Sequence, residues 1–199
     1  KWLEAAIMTF GATIREKFVN ADRQRMIQGY RKLTSVAVET ELRENFEINM
    51  PVTKEFFVAT SDQNYSWIRR ETEHVSVGIQ VFRMPYATDS IFSTRKVISL
   101  RDSVSRIRIP GPSAGTFMVT ETNYPPVASA ETIAGNYAFK VNGLWKTRGD
   151  FMGGPFTTYL IHDSAKSDLI FIDTFIYSPK FDKAEYVRQL DAIIHGLEL

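Results

Sequence analysis

Apolar positions along the chain recur at two spacings, and the switches between them mark out the elements. Leu3, Ile7, Phe10, Ile14 and Phe18 step by four, three, four and four, and Met26 and Tyr30 prolong the series. This lines one face of a long amphipathic helix over residues 2 to about 32. Val38, Leu42 and Phe46 repeat at fours and predict a second helix from about Ser35 to Asn45. Phe46 to Met50 reads as a short alternating strand ending at Pro51. Residues 56–60 and 65–71 read as strands joined by the polar turn Ser61-Asp62-Gln63-Asn64. Val75, Val77, Ile79 and Val81 alternate in a third strand that Pro85 closes.

Asp89 is the expected N-cap of a third helix, with Val97, Leu100, Val104 and Ile107 on its inner face. Ile109-Pro110-Gly111-Pro112 must end it, because proline cannot continue the hydrogen-bond ladder. Phe117 and Val119 mark a strand, and residues 123–129, with Pro125-Pro126, read as an exposed connection. Tyr137, Phe139 and Val141 alternate towards Trp145, and residues 157–162 and 169–177 give two more strands. The final helix opens with Asp182 and Glu185, spaced as a capping box, and Gly196 is placed to end it. Strands joined by short polar turns pair antiparallel, since parallel neighbours need a long crossover. The expectation is an α+β fold with a central antiparallel sheet flanked by helices and preceded by the long amphipathic helix. One domain spans 1–199, with the helix at 1–33 belonging partly to an upstream region and the sheet with its helices at 34–199. Val77, Val81, Phe139 and Phe171 are expected to share one interior.

Composition narrows the function. Hydrophobic residues make up 44% of the 199, enough for a core. Lys and Arg number 24 against 23 Asp and Glu, which argues against a dedicated nucleic-acid binder. The cations in the second half of the first helix read as a solvated face. No apolar run is long enough to span a bilayer. Cysteine is absent, which excludes disulfides, zinc-thiolate sites and thiol nucleophiles. The chain opens at Lys1, already inside a helical pattern, and reads as a piece of a longer protein.

Three sets of residues carry candidate chemistry. The connection around Trp145, Arg148, Asp150, Phe151, Met152, Gly153, Gly154 and Phe156 combines aromatic anchors, both charges and a glycine pair, a composition suited to a partner-binding surface. It lacks the spacing of a phosphate loop. His162 beside Asp163 offers a His–Asp pair, although no nucleophile elbow accompanies it. His74, His162 and His195 lie in separate elements without the spacing of a zinc motif. Asp173 interrupts an apolar strand in register with Phe171 and Phe175; if buried it needs a partner such as Arg69 or Arg148, or it takes up a proton.

The strings Phe46-Glu47-Ile48-Asn49-Met50-Pro51, Arg101-Asp102-Ser103-Val104 leading to Ile109-Pro110-Gly111-Pro112, and Gly143-Leu144-Trp145 leading to Asp150-Phe151-Met152-Gly153-Gly154-Pro155-Phe156 occur in that order. Together they resemble a bacterial envelope lipoprotein family known as domain of unknown function four-eight-three-seven. The resemblance implies the envelope of a Gram-negative, gut-type bacterium, in the periplasm or at the outer membrane. Its membrane link would be a lipid on an upstream N-terminus. From Phe46 onward the layout also resembles the Mog1 and PsbP-like proteins, which implies an α/β/α sandwich and a partner-binding role. The family brings no catalytic residue and no cofactor. The leading expectation is a non-enzymatic binding or scaffolding module for another protein. The rivals are a hydrolase using Asp150, Asp173 or His162, and a small-molecule carrier.

Overall fold

Alternating side chains give a strand two faces, and in this chain the two faces are chemically different. The computed structural model describes residues 2–199; the side chains of residues 3–6, Leu3 among them, lie outside the described part. Helices α1 (Trp2–Arg31) and α2 (Val36–Phe46) precede strands β1 (Phe57–Asp62), β2 (Tyr65–Glu71) and β3 (Ser76–Pro85). A single 3-10 turn, Asp89–Ile91, leads into α3 (Thr94–Arg108). Strands β4 (Phe117–Thr120), β5 (Val127–Ile133), β6 (Asn136–Arg148), β7 (Gly153–Asp163) and β8 (Asp168–Tyr177) follow, and α4 (Ala184–His195) comes last. All eight strands form one antiparallel sheet in the order β1-β2-β3-β8-β7-β6-β4, with β5 on the same edge of β6 as β4.

One face is aliphatic. Ile68, Val77, Ile79, Val81, Ile161, Ile170, Ile172 and Ile176 pack beneath α2 and α4, which contribute Val38, Leu42, Phe46, Leu190, Ile193 and Ile194. The other face is aromatic: Tyr65, Trp67, Phe82, Trp145, Phe156, Phe171 and Phe175 cluster there, with Val97 of α3 laid on top. Helices on both faces make the fold an α/β/α sandwich. Val77 and Val81 therefore lie across the sheet from Phe139 and Phe171, so the single interior expected from the pattern is two layers.

Four boundaries differ from the sequence reading, each for a local reason. Residues 46–50 are not a strand: α2 runs to Phe46, and Glu47 takes a left-handed φ of 52° that returns its N–H to Arg43. Asn49 then exchanges two backbone hydrogen bonds with Glu198 (2.9 and 2.8 Å). Asp89 starts the 3-10 turn rather than capping α3, whose N-cap is Ser93. The stretch read as an exposed connection becomes β5 from Val127 onward, pairing with the first half of β6. Asp182 does accept from the Ala184 N–H (2.9 Å), but Glu185 turns to Arg188 and Gln189 instead of closing a box.

The long helix also behaves differently from its pattern. Its C-terminal half docks, with Ile27 buried and Arg23 Nε 2.8 Å from Asp191 of α4. Ile7, Phe10, Ile14 and Phe18, which the spacing aligns as a core stripe, remain exposed, Phe18 to 71%.

Two glycines let the aromatic face pack. Across the sheet one row reads Arg69, Gly78, Phe175, Phe156, Gly143. Each phenylalanine ring lies over the glycine beside it, Phe175 on Gly78 and Phe156 on Gly143, where a Cβ would collide with the ring. Gly78→Ala should destabilise the fold by about 1–3 kcal/mol, the cost of overpacking a filled layer. The check is a lower urea midpoint at unchanged slope; an unaltered midpoint would show that Phe175 can move aside freely.

Candidate functional site

The Trp145–Phe156 segment is a tight hairpin rather than a wide connection. Strand β6 continues to Arg148 and β7 begins at Gly153, leaving four residues to turn. Gly149 takes φ +87°, which a side chain would resist, and the Thr147 N–H donates to Met152 O (2.8 Å). Asp150 is used within the turn, accepting from the Phe151 N–H (2.6 Å) and from Ser113 Oγ (3.4 Å). Arg148 points outward with its guanidinium 6.0 Å from the Phe117 ring. Trp145 and Phe156 are buried. The Trp145 indole N–H donates across the sheet to Ile176 O (3.2 Å), directly over Gly154, where a Cβ would strike that carbonyl oxygen. Phe151, by contrast, stands wholly in solvent at 106% relative exposure. Of the eight residues singled out in this segment, Trp145, Gly154 and Phe156 build the frame, while Phe151 and Met152 are presented outward or towards a cleft.

That cleft, of about 300 Å³, opens on the aromatic face beside the hairpin. Trp67, Trp145, Phe175 and Tyr177 wall it, Met118 and Met152 line it, and Ile109 to Pro112, just past α3, close one side. Its polar groups are Arg69, Ser76 and Thr147. Arg69 pairs with Glu71 through its terminal nitrogen, and its guanidinium carbon sits 4.5 Å from the Trp67 ring centroid. Burial lowers the Arg69 pKa from its ordinary value. Arg69 Nε and Trp67 Nε1 are shielded from solvent and have no hydrogen-bond partner among the described residues. Sequence patterns did not single out Trp67 or Tyr177, and named Arg69 and Phe175 only in connection with Asp173. The alternation of Trp67 and Arg69 puts them on one face of β2, but nothing local says that this face meets the end of β6.

Asp173 is fully buried, and its partner is neither Arg69 nor Arg148 but Arg101 of α3, itself fully buried. One carboxylate oxygen accepts from Arg101 Nε (2.9 Å) and Thr158 Oγ1 (2.6 Å); the other accepts from Gln80 Nε2 (3.0 Å). Gln80 in turn donates to Ser105 Oγ (3.1 Å) and accepts from the Tyr65 hydroxyl (2.9 Å). The remaining Arg101 nitrogens reach Thr120 (3.4 Å), Asp102 (3.4 Å) and the Met118 sulfur (3.2 Å), and the guanidinium lies 3.9 Å above the Phe156 ring. Burial raises the Asp173 pKa, with Arg101 opposing it. This is a closed structural network: each of its buried side-chain polar atoms has a partner within the chain.

The other acid–base candidates do not gather. Neighbouring residues on a strand face opposite ways, so His162 and Asp163 cannot form the expected pair. Asp163 is bridged to Arg83 (2.9 Å), while the His162 ring lies 4.3 Å from Tyr86. His162 is four residues along β7 from Thr158, the register partner of Asp173, which separates the two groups by roughly 13 Å. Asp150 sits beyond the opposite end of that strand.

A second polar cluster joins Glu131, Asp191 and His195, whose ligating atoms lie within 4.8 Å of one another. Lys140 Nζ already stands 3.0 Å from both carboxylates, and Arg23 holds the other Asp191 oxygen. Burial opposes ionising Asp191, but Lys140, His195 and Arg23 more than offset it and hold its pKa below the ordinary range. A metal ion would have to displace these two cations, so the cluster reads as an ion-pair joint between α1, α4 and the sheet.

Comparison with known proteins places the chain. The family described as Domain of unknown function (DUF4837) matches residues 35–196, and the chain belongs to that family. No curated protein matches the sequence. Among solved structures, the chain is similar to LpqN, described as involved in cell envelope biogenesis of Mycobacterium tuberculosis. The TM-score is 0.42 at 13% identity, covering 76% of this chain and 82% of that one. It is also similar to a mutant of protein Mog1, with a TM-score of 0.39 at 10% identity, covering 75% of this chain and 85% of the other.

Arg101→Met should cost about 3–5 kcal/mol at neutral pH, because it leaves Asp173 buried and unpaired. The folded pKa of Asp173 is raised above its unfolded value, so the folded state binds the proton more tightly. Stability from that proton is present below the unfolded pKa and lost as pH rises through the folded one. The deficit of Arg101→Met should therefore shrink between about pH 7 and pH 4, and that recovery should be missing when Asp173→Asn is added. Urea melts at both pH values decide it: a deficit independent of pH would assign the cost to packing alone.

Proposed function

We propose that this DUF4837 family member is a non-enzymatic binding module of the cell envelope that engages a partner protein through the β6–β7 hairpin and the adjoining aromatic cleft. The observation that carries the reading is the wholly exposed Phe151, one residue from Met152 in the wall of an open cleft. Aromatic residues beside a pocket are common anchors of protein interfaces. The turn holding Phe151 is rigid, with Gly149 in its left-handed conformation and Asp150 tied to the backbone and to Ser113. A fixed anchor loses little entropy on binding.

The rival readings find less support. A hydrolase using Asp150, Asp173 or His162 would need two of these groups at one point, and they stand apart. A small-molecule carrier would be favoured by an enclosed cavity, whereas the aromatic cleft opens to the surface. Location in the envelope rests on the family resemblance of the three sequence strings, and fractionation of the full-length protein tests it.

Position-specific photo-crosslinking in cells tests the binding reading. A crosslinking amino acid at Phe151 should give a discrete protein adduct, and the same group at Val36, exposed on α2 across the sheet, should not. No adduct from position 151, or the same adducts from both positions, would overturn the proposal.

A further inference from the structure

The aromatic cleft holds two donors with nowhere to donate. Trp67 is only 8% exposed, and neither its indole N–H nor the Arg69 Nε–H has a partner among the described residues. A buried donor left unmade is expensive. Both side chains line the cleft, and the guanidinium is stacked on the indole, so the two N–H groups are neighbours on one strand. Glu71 takes only the terminal nitrogen of Arg69 and leaves the shielded Nε without an acceptor. Everything else around this corner is apolar or aromatic apart from the Ser76 and Thr147 hydroxyls.

We infer that the cleft receives the C-terminus of a partner chain, its last apolar side chain against Trp145, Phe175 and Tyr177 and its carboxylate on Trp67 Nε1 and Arg69 Nε. This rests on the binding-module reading and names the chemistry of the partner. A carboxylate offers acceptor oxygens to both donors at once, and charge-assisted bonds to an ionised group are the stronger kind. The anion position and the apolar wall belong to one small cleft, so the occupant must carry both within a few bonds. A terminal residue does this, having its side chain and its carboxylate on the same Cα. The volume, about 300 Å³, admits one or two side chains and not a folded element.

Isothermal titration calorimetry with three acetylated peptides tests it: Gly-Leu-Phe with a free carboxylate, the same peptide as its carboxamide, and Leu-Phe-Asp as its carboxamide. The free acid should bind at least about tenfold more tightly than either amide. That advantage should disappear in Arg69→Gln and in Trp67→Phe, which keeps an aromatic wall and removes only the donor. Equal binding of acid and amide, equal binding of the internal aspartate, or an advantage that survives both substitutions would each overturn the inference. Failure of all three peptides to bind, with the Phe151 adduct still present, would overturn the terminal-carboxylate chemistry and leave the binding module standing. Selective binding of the acid without any Phe151 adduct would support the cleft chemistry and remove the hairpin from the interface.

Discussion

Where α3 lies on the sheet, a guanidinium and a carboxylate meet with no water between them, and the geometry of the aromatic face follows from that contact. Withdrawing each ion from water costs several kcal/mol, and attraction alone recovers this only when the remaining hydrogen-bonding capacity is also filled. Here it is filled: Asp173 accepts from Arg101, Thr158 and Gln80, and Arg101 reaches Thr120, Asp102 and Met118 besides. The penalty for misplacement is correspondingly steep. Shifting α3 by one turn along the sheet would strand both charges. Val97, Arg101 and Ser105 are buried in α3 while Ile98, Leu100 and Val104 pack against the aromatic cluster, so the ion pair and this apolar packing together set where α3 sits.

The position of α3 in turn fixes the cleft. The polar row Trp67, Gln80, Asp173, Thr158, Val141 runs across the sheet beside the row Arg69, Gly78, Phe175, Phe156, Gly143. Arg101 covers the first row and reaches over Phe156 in the second. Beyond it the helix has ended at Ile109, and the proline-bounded segment that follows forms the rim. The aromatic face is thus covered at one end by a helix and left open at the other. Over the aliphatic face α2 and α4 lay Leu42, Phe46, Leu190 and Ile193 across the strands.

Local periodicity made the elements legible and their partners illegible. The strands around Val77, residues 157–162 and residues 169–177, the antiparallel pairing, and the helices beginning near Ser35 and ending at Gly196 follow from alternation, caps and proline placement. The failures share a cause. Ile107 fits an apolar stripe with Val97, Leu100 and Val104 yet is 81% exposed, because the buried face of α3 is chosen by Asp173, which is 72 residues away from Arg101 in the chain. The Phe10 and Phe18 stripe has helical spacing but no neighbour to cover it among the described residues. Asp173 was visible as an anomaly; its partner was not, since an arginine on a helix reads as surface. The hairpin was legible as a connection between two strands, through its aromatic residues and glycines. The cleft was not, because Trp67 and Trp145 are brought together only by the strand order β2-β3-β8-β7-β6.

The two unusual polar features of the aromatic face differ in one respect. Around Asp173 each buried polar atom has a partner within the chain. Around Arg69 the account does not balance: a partly buried guanidinium and an indole are placed side by side, one terminal nitrogen is satisfied by Glu71, and two N–H groups remain. Both sites are built on the same sheet, one cross-strand row apart, so a common loosening of the packing cannot explain why only one is incomplete. The closed network holds α3 and the rim in place; the two residues with unpartnered donors line the cleft beside them.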